Sequence, residues 1–570
     1  MGFKHIIAII SLSAVAVACN YLDFDETAGR NNKEDMYRYF DRVSQMLTHV
    51  YSFMPQCASF TGAGLDVLSL RDCASDDGEY GAVAATIQNV NNGNWSATST
   101  FDEAWTLYNG IRAANSFIEE VEHVDLSRYE NQSNYQNWME SLRYFPYEAR
   151  VLRAYYFFEL ARRYGDIAMP LTVLTVEEAN TIGKTPFAEV IAFIVKECDE
   201  AAKNLPTDFL AVGGNNNTGR TTKGFAMALK TKALLYAASP LHNPSDDAEA
   251  WKAAARAALD VINLNLYRLD ANGCYTDPLN SKELVLARMN TENASYELYN
   301  FPLRLAYGNR TQALLACGNY PSQNLVDAFE TVNGYSVTLG ASGWECADPA
   351  FDPQHPYDGR DPRFARTVLA DGATFKGIAV DVSTDGNDNV PVAQGGSATG
   401  YFLRKYIQEN TSFEPNRTAT QRHQWILYRY AETLLSYAEA MVNAFGSGDY
   451  RDGEFTLSAL EALNQVRANA GMPDITDTGK EALLSRIRNE WRVEFAFEDH
   501  RFWDVRRWKI GDETQRQLYG VHIVRRTNGE KVYTRTLYET RAWSERMNLY
   551  PIPQRELFNN DNLNPQNAGW

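Results

Sequence analysis

Arg486-Ile487-Arg488-Asn489-Glu490-Trp491-Arg492-Val493-Glu494-Phe495-Ala496-Phe497-Glu498-Asp499-His500-Arg501-Phe502-Trp503-Asp504-Val505-Arg506-Arg507-Trp508 is the stretch on which the reading of this chain turns. Ile487, Trp491, Phe495 and Glu498 advance by four, four and three residues, which places them on one face of a helix. Glu and Arg recur beside that stripe, so the spacing predicts a helix over 480–498 held to its neighbours by buried or half-buried Arg–carboxylate pairs. Such pairing favours ionised carboxylates and lowers their pKa, making them poor general acids. A catalytic role would need one carboxylate facing an open cleft.

Outward from this segment, amphipathic helices are predicted in pairs over 35–54, 101–122, 146–164, 186–204, 221–238, 248–264, 424–445 and 454–470. The chain therefore reads as mostly α. The helix at 186–204 shows why: Thr185 is placed as N-cap, Pro186 at the first helical position and Glu189 in the first turn, where a carboxylate suits the positive dipole end. Phe187, Val190, Ile191, Ile194, Cys198, Ala201, Ala202 and Leu205 then form one buried stripe, and Pro206 stops it. The helix at 221–238 is rich in Ala, which lets a neighbour approach closely. Paired helices with small residues at their crossings predict a tetratricopeptide-like stack. Over 267–423 the helical period lapses, and Gly, Asn, Asp and Pro are scattered among Tyr and Trp; residues 56–100 share this character. Irregular stretches of that length either fold onto a scaffold or form a binding surface. Recognition is thus expected on 56–100 and 267–423, with support from helices in 35–266 and 424–510 and a closing segment at 511–570.

The 570 residues carry a formal charge of −18, which argues against nucleic acid, anionic lipid or an acidic polymer as the main partner and favours a neutral ligand. The 32 Tyr, 27 Phe and 11 Trp serve both cores and contact surfaces. No phosphate-binding glycine loop, H-E-x-x-H or G-x-S-x-G motif occurs, and the eight His are dispersed. The densest acidic run, Asp76-Asp77-Gly78-Glu79, reads equally as a ligand contact and as a solvated turn or helix start. Cys57, Cys73, Cys198, Cys274, Cys317 and Cys346 form no CxxC pair. Oxidation of Cys57 with Cys73 is open to an exported chain, but buried thiols are expected at most of these positions. No cofactor is expected; the Asp-rich loops leave room for a bound calcium, though no D-x-[DN]-x-[DN]-G loop marks one.

At the amino terminus an apolar run from Ile6 to Ala18 follows Lys4 and ends on small residues directly before Cys19. It is shorter than the ~20 residues that span a bilayer and reads as a lipoprotein signal peptide, 1–18. Cleavage leaves Cys19 to carry the lipid, and at ~0.8 kcal/mol per buried CH₂ two or more chains anchor firmly. Residues 19–34 form a polar, acidic tether, and order is expected from near Asp35.

The opening stretch also resembles the carboxyl-terminal signature of the RagB/SusD family of outer-membrane glycan-binding lipoproteins. Similar blocks run along nearly the whole mature chain. They include Trp105-Thr106-Leu107-Tyr108, Ala154 to Leu160 running into Arg163-Tyr164-Gly165-Asp166-Ile167, Ala233 to Pro240, Pro321 to Phe329, and Arg360-Asp361-Pro362-Arg363-Phe364. Gly400 to Tyr406, Arg429-Tyr430-Ala431-Glu432, Leu549-Tyr550-Pro551-Ile552-Pro553 and Asn564 to Trp570 follow. Trp491 stands where that family usually has Arg, Asp499 where it has Gly, and Ala568 where it has Pro. The resemblance implies a SusD-like α-helical scaffold of four tetratricopeptide-like helix pairs, with a loop-rich region and short strands, in a single domain over 35–570. It implies a lipid-anchored protein on the extracellular face of the outer membrane that binds an oligosaccharide or polysaccharide fragment and passes it to a SusC-like TonB-dependent transporter. It implies no enzyme. A surface polysaccharide hydrolase and a non-binding structural lipoprotein are the alternatives, separated by release of reducing ends and by absence of saccharide binding.

A neutral sugar needs aromatic plates for its C–H faces and carboxylates, amides or Arg for its hydroxyls. No binding residue transfers by motif. The irregular regions offer, in order, Trp95, Trp344, Asp77, Tyr320, Tyr296 and Arg404, while Trp105, Trp425, Trp503 and Trp508 are assigned to the core. Cys19→Ala is expected to release or mislocalise the protein and impair glycan uptake while leaving binding by the isolated soluble domain intact; cell fractionation with an uptake assay checks this, and unchanged membrane retention would refute lipidation at Cys19.

Overall fold

The computed structural model describes residues 36–56, 69–209, 219–302, 318–414 and 417–570. The signal peptide and tether expected over 1–34, with Cys19, and Cys57 and Cys317 lie outside the described residues. The scaffold runs through α1 (Phe40–Ser52), α2 (Leu107–Val121), α3 (Tyr135–Tyr164), α4 (Phe187–Asn204), α5 (Lys223–Ala238), α6 (Ala248–Asn263), α7 (Tyr430–Phe445), α8 (Ala459–Ala470) and α9 (Lys480–Glu494). Each helix packs on the next in this order, and α7 also takes α9. The pairs α2/α3, α4/α5, α6/α7 and α8/α9 form the expected four-pair stack, with α1 against α2 and α3. Ala226, Ala228, Ala233 and Ala238 of α5 and Ala254, Ala255 and Ala258 of α6 are buried in this stack, where small side chains let packed helices come close.

Several boundaries differ from expectation for physical reasons. Strand character claims the first residues of the helix predicted from 424: Trp425–Arg429 forms a strand antiparallel to Leu284–Arg288, and the helix begins at Tyr430. The helix predicted from 101 starts at Leu107, because Asp102 and Ala104 adopt positive φ (51° and 52°). The one predicted from Pro146 instead begins at Tyr135 and carries Pro146 in its interior. Pro186 caps α4 rather than opening it. The opening stretch is two helices, α9 and α10 (Arg501–Arg507), separated by a turn in which Phe497 and Asp499 have φ of 59° and 66°. Glu498 therefore leaves the α9 face. The left-handed conformation at Asp499 is one that glycine adopts without strain. Here its carboxylate accepts from Arg71 at 2.9 Å, from Arg162 at 3.4 Å and from the Trp503 indole at 3.1 Å.

Among the described residues the irregular regions carry only two-stranded ladders. β1 (Gly78–Tyr80) and β2 (Asn319–Pro321) pair antiparallel, bringing Glu79 opposite Tyr320. β3 (Gln517–Arg525) and β4 (Lys531–Thr540) make the longest hairpin, around Asn528-Gly529, with Gly529 at φ 88°. Buried ion pairs tie these pieces to the helices. Arg429 reaches Glu283, Glu494 and Glu498; Arg363 reaches Asp361, Glu490 and Glu494; Arg467 reaches Glu330 and Glu490. Cys73, Cys198 and Cys274 are buried free thiols, and Cys346 is half-buried. No helix among the described residues is long and apolar enough to cross a membrane.

The expected effect of Arg pairing holds in part. Burial alone would raise the carboxyls, but Arg163 and Arg71 at Asp102, Lys232 and His500 at Glu432, and Arg429 and Arg363 at Glu494 outweigh it and hold each at about 2. Glu498 is lowered likewise, whereas at Glu490 burial outweighs Arg363 and Arg467 and the pKa rises. For Asp102, Glu432 and Glu494 the folded pKa lies below the ordinary 3.8 or 4.5, so the stability they add is complete above pH ~4.5 and is lost as the pH falls through about 2. Urea unfolding midpoints measured from pH 6 down to pH 2 should therefore fall steeply below about pH 4.5. A midpoint that stays level across that window would contradict these pairings.

Candidate functional site

The six residues singled out from the sequence do not converge. Trp95 is 2% exposed, its ring edge-on to Tyr550 at 4.6 Å and to Trp570 at 5.0 Å. The plate expected at Trp95 is thus covered by the last residues of the chain. Asp77 is fully buried, with Oδ1 accepting from Arg492 Nε at 2.6 Å. Its neighbours follow suit: Asp76 accepts from Arg501 at 2.8 and 2.9 Å and from Gln515, and Glu79 pairs with Arg541. The acidic run is therefore neither a solvated turn nor open to a ligand. Tyr320 and Tyr296 are also buried, Tyr320 against Phe402 and Tyr296 with its hydroxyl donating to the Lys405 carbonyl at 3.1 Å. A side chain closed off from solvent offers no face to a sugar, so Trp95, Asp77, Tyr320 and Tyr296 are corrected to structural positions. Trp344, in the hairpin Val337–Gly340/Gly343–Cys346, and Arg404 remain half-buried. Trp344 packs edge-on to Tyr357 and Tyr533, each at 5.9 Å, and Arg404 pairs with Glu409 at 2.7 Å.

The open part of the irregular block lies elsewhere. A groove of about 220 Å³ runs between residues 382–400 and the β3–β4 hairpin, lined by Asn389, Ser397, Thr399, His522, Thr536 and Tyr538 among others. Its shape follows from two glycines. A Cβ on Gly520 would stand 2.6 Å from the Thr399 carbonyl oxygen, and one on Gly400, at φ 88°, would stand 2.6 Å from that of Val521. Only bare backbone lets the hairpin come this close, and the Val521 N–H then donates to Thr399 O at 2.8 Å. Thr384 N–H donates to Ile523 O at 2.7 Å, and Arg525 pairs with Asp381 at 2.8 Å, closing the other end.

Tyr538 owes its position to a register shift. Leu518 pairs with Glu539 and Tyr519 with Leu537, so Tyr538 is the extra residue of a β-bulge, the device that re-aims a side chain out of strict alternation. The residue is 41% exposed. Burial of the remainder, reinforced by Glu79 and Glu539, pushes its phenol up to about 12, so the hydroxyl stays protonated and able to donate at neutral pH. Asn389 and His522 are exposed beside it. The lining carboxylate, Asp388, is buried and spends one oxygen on the Asp381 N–H at 2.9 Å. The arrangement suits a small polyhydroxyl ligand: one aromatic face, an amide, an imidazole and hydroxyls. Among the described residues no group of three or more His, Cys, Asp or Glu is placed to hold a metal ion.

Sequence reasoning pointed to the block that supplies one wall, 382–400, and missed Tyr538 and His522. The available signal was the Asn528-Gly529 turn between two alternating runs; no local pattern marks the bulge. Trp425, Trp503 and Trp508 are buried as expected, but Trp105 is only half-buried.

Residues 282–570 match the family model described as the SusD family, and residues 32–230 match one described as starch-binding, associating with the outer membrane. The chain is 24% identical over 582 aligned residues, covering all of both chains, to SusD-like protein P2 of Formosa agariphila. A SusD-like protein from Bacteroides fragilis superposes with a TM-score of 0.75 at 27% identity, covering 95% of this chain and 99% of that one. A laminarin-binding SusD-like protein superposes at 0.59 with 22% identity, covering 93% and 99%. Gly520→Ala is expected to push the hairpin off residues 399–400 and cost about 1–3 kcal/mol of stability; thermal unfolding reads it, and an unchanged midpoint would show that the close approach is not needed.

Proposed function

The chain belongs to the SusD family, and on that footing we propose that it is a cell-surface binding protein that captures oligosaccharides or polysaccharide fragments and delivers them to a SusC-like TonB-dependent outer-membrane transporter. The observation that carries the ligand class is the groove under Tyr538, where a partly exposed tyrosine stands beside exposed uncharged hydrogen-bonding groups and the lining carboxylate, Asp388, is buried. The starch-binding and laminarin-binding descriptions of its relatives support the same class. A pyranose ring laid on Tyr538 would direct hydroxyls to Asn389, Thr536 and His522. Trp344 and Arg404, which keep exposed atoms, stay in the proposal as outlying contacts.

In this reading residues 1–18 are removed, Cys19 is acylated, 19–34 tether the protein to the outer face of the outer membrane, and 35–570 form one SusD-like unit that works without a cofactor. The outer-membrane association named for the family matched by residues 32–230 supports that location. Binding proceeds without turnover, because the ligand is passed on intact.

Isothermal titration of the soluble chain against a panel of plant, microbial and host glycans tests the proposal. One glycan class should bind without release of reducing ends, and Tyr538→Ala should weaken it at least about tenfold, or ~1.4 kcal/mol, with the fold retained. Unchanged affinity in Tyr538→Ala would move the site; binding to no glycan, or release of reducing ends, would overturn the function.

A further inference from the structure

A second groove, of about 290 Å³, lies on the helical side of the molecule, between α2, residues 168–182 and the carboxyl-terminal segment around 556–563. Its walls are fastened by buried amides. Asn115 donates to the carbonyls of Pro170 and Thr172 at 3.0 and 2.9 Å while accepting from Arg153 at 2.7 Å. Asn560 donates to the carbonyls of Ala179 and Ile182 at 3.3 and 2.8 Å, and the Tyr108 hydroxyl to that of Ala168 at 3.0 Å. The cleft is therefore built, with the carbonyls of Ala168, Pro170, Thr172, Ala179 and Ile182 satisfied by side chains of its own walls.

What faces the cleft is different in kind. Trp105 is half-buried, braced edge-on by Tyr108 at 5.1 Å and Tyr164 at 5.3 Å. Asn109, Arg112, Asn180 and Asn559 line the groove with exposed side chains, and among the described residues no carboxylate stands within ion-pair distance of Arg112. The groove's carboxylate, Glu556, is taken by Arg555 at 3.0 Å. An unpaired guanidinium with five donors stands here beside three amides, which both donate and accept, and one indole plate. The unpaired cation matches a sugar bearing a carboxylate or sulfate, which supplies acceptors to a forked donor and C–H faces to an indole. The charge of −18 does not oppose this, since at physiological salt charges beyond about 8 Å are largely screened and the carboxylate that lines the cleft, Glu556, already has a cation beside it in Arg555.

We infer that the Trp105–Arg112 groove is a second saccharide site, selective for an acidic sugar residue and separate from the groove under Tyr538. Its sugar class rests on the proposed glycan-capture function; its charge preference rests on this groove alone. Isothermal titration of the full mature chain with galacturonic acid tetrasaccharide, with a sulfated galactose tetrasaccharide and with an uncharged tetrasaccharide separates the two. At least one acidic tetrasaccharide should bind. Arg112→Gln, an exposed change that removes no contact of the fold, should weaken it at least tenfold, Asn180→Ala should weaken it less, and Tyr538→Ala should leave it unchanged. Raising salt from 50 to 300 mM should weaken acidic binding in the native chain and leave it nearly level in Arg112→Gln. Binding of neither acidic tetrasaccharide, or affinity indifferent to Arg112→Gln, overturns the inference; loss of neutral-glycan binding in Tyr538→Ala bears only on the other groove.

Discussion

Buried arginines set the terms on which the rest of this molecule folds. Arg429, Arg363 and Arg467 gather Glu283, Glu330, Asp361, Glu490, Glu494 and Glu498 into one charged interior; Arg492 and Arg501 take Asp76 and Asp77, and Arg71 and Arg163 share Asp102. A buried pair adds little net stability over a well-packed apolar pair, but removing one partner is costly because the other charge is left stranded. The chain is thereby confined to the arrangement in which all of these charges meet. This matters most for the irregular block, whose two-stranded ladders are too short to hold themselves together.

The helical stack and the irregular block consequently divide the work. The stack supplies a rigid frame through alanine-lined crossings, and the block, clamped to it by ion pairs, can afford open grooves where regular structure would have filled the space. The groove under Tyr538 is made by backbone approach at Gly400 and Gly520 and by a bulge, all features of main-chain geometry. The groove beside Trp105 is made by buried amides that fasten three chain segments to one another. Two different constructions thus place aromatic rings at two separate surfaces.

Much of the frame was legible in spacing alone. The stripe from Phe187 to Leu205 appears as a helix within a residue of its expected start, and the Ala-rich run after Thr222 packs closely against its neighbours. The misreadings have a common cause. Trp425–Arg429 has apolar residues that serve a strand as well as a helix, and only the facing strand Leu284–Arg288 decides between them. Asp499 occupies a left-handed position because the turn between α9 and α10 demands it, and Arg71 and Arg162 hold its side chain there.

Helix periodicity, the paired arrangement and the family motifs are properties of neighbouring residues, so they can be read along the chain. Exposure is not such a property. Trp95, in a Gly/Asn-rich segment, is covered by Tyr550 and Trp570, more than 400 positions away, and Asp76 by Arg501. Tyr538, on a strand with no mark to distinguish it, is turned outward by one shift of register. Local spacing specified the scaffold, whereas contacts between distant segments selected which aromatic and acidic side chains remain at the surface, because burial depends on what packs above a residue and not on what precedes or follows it.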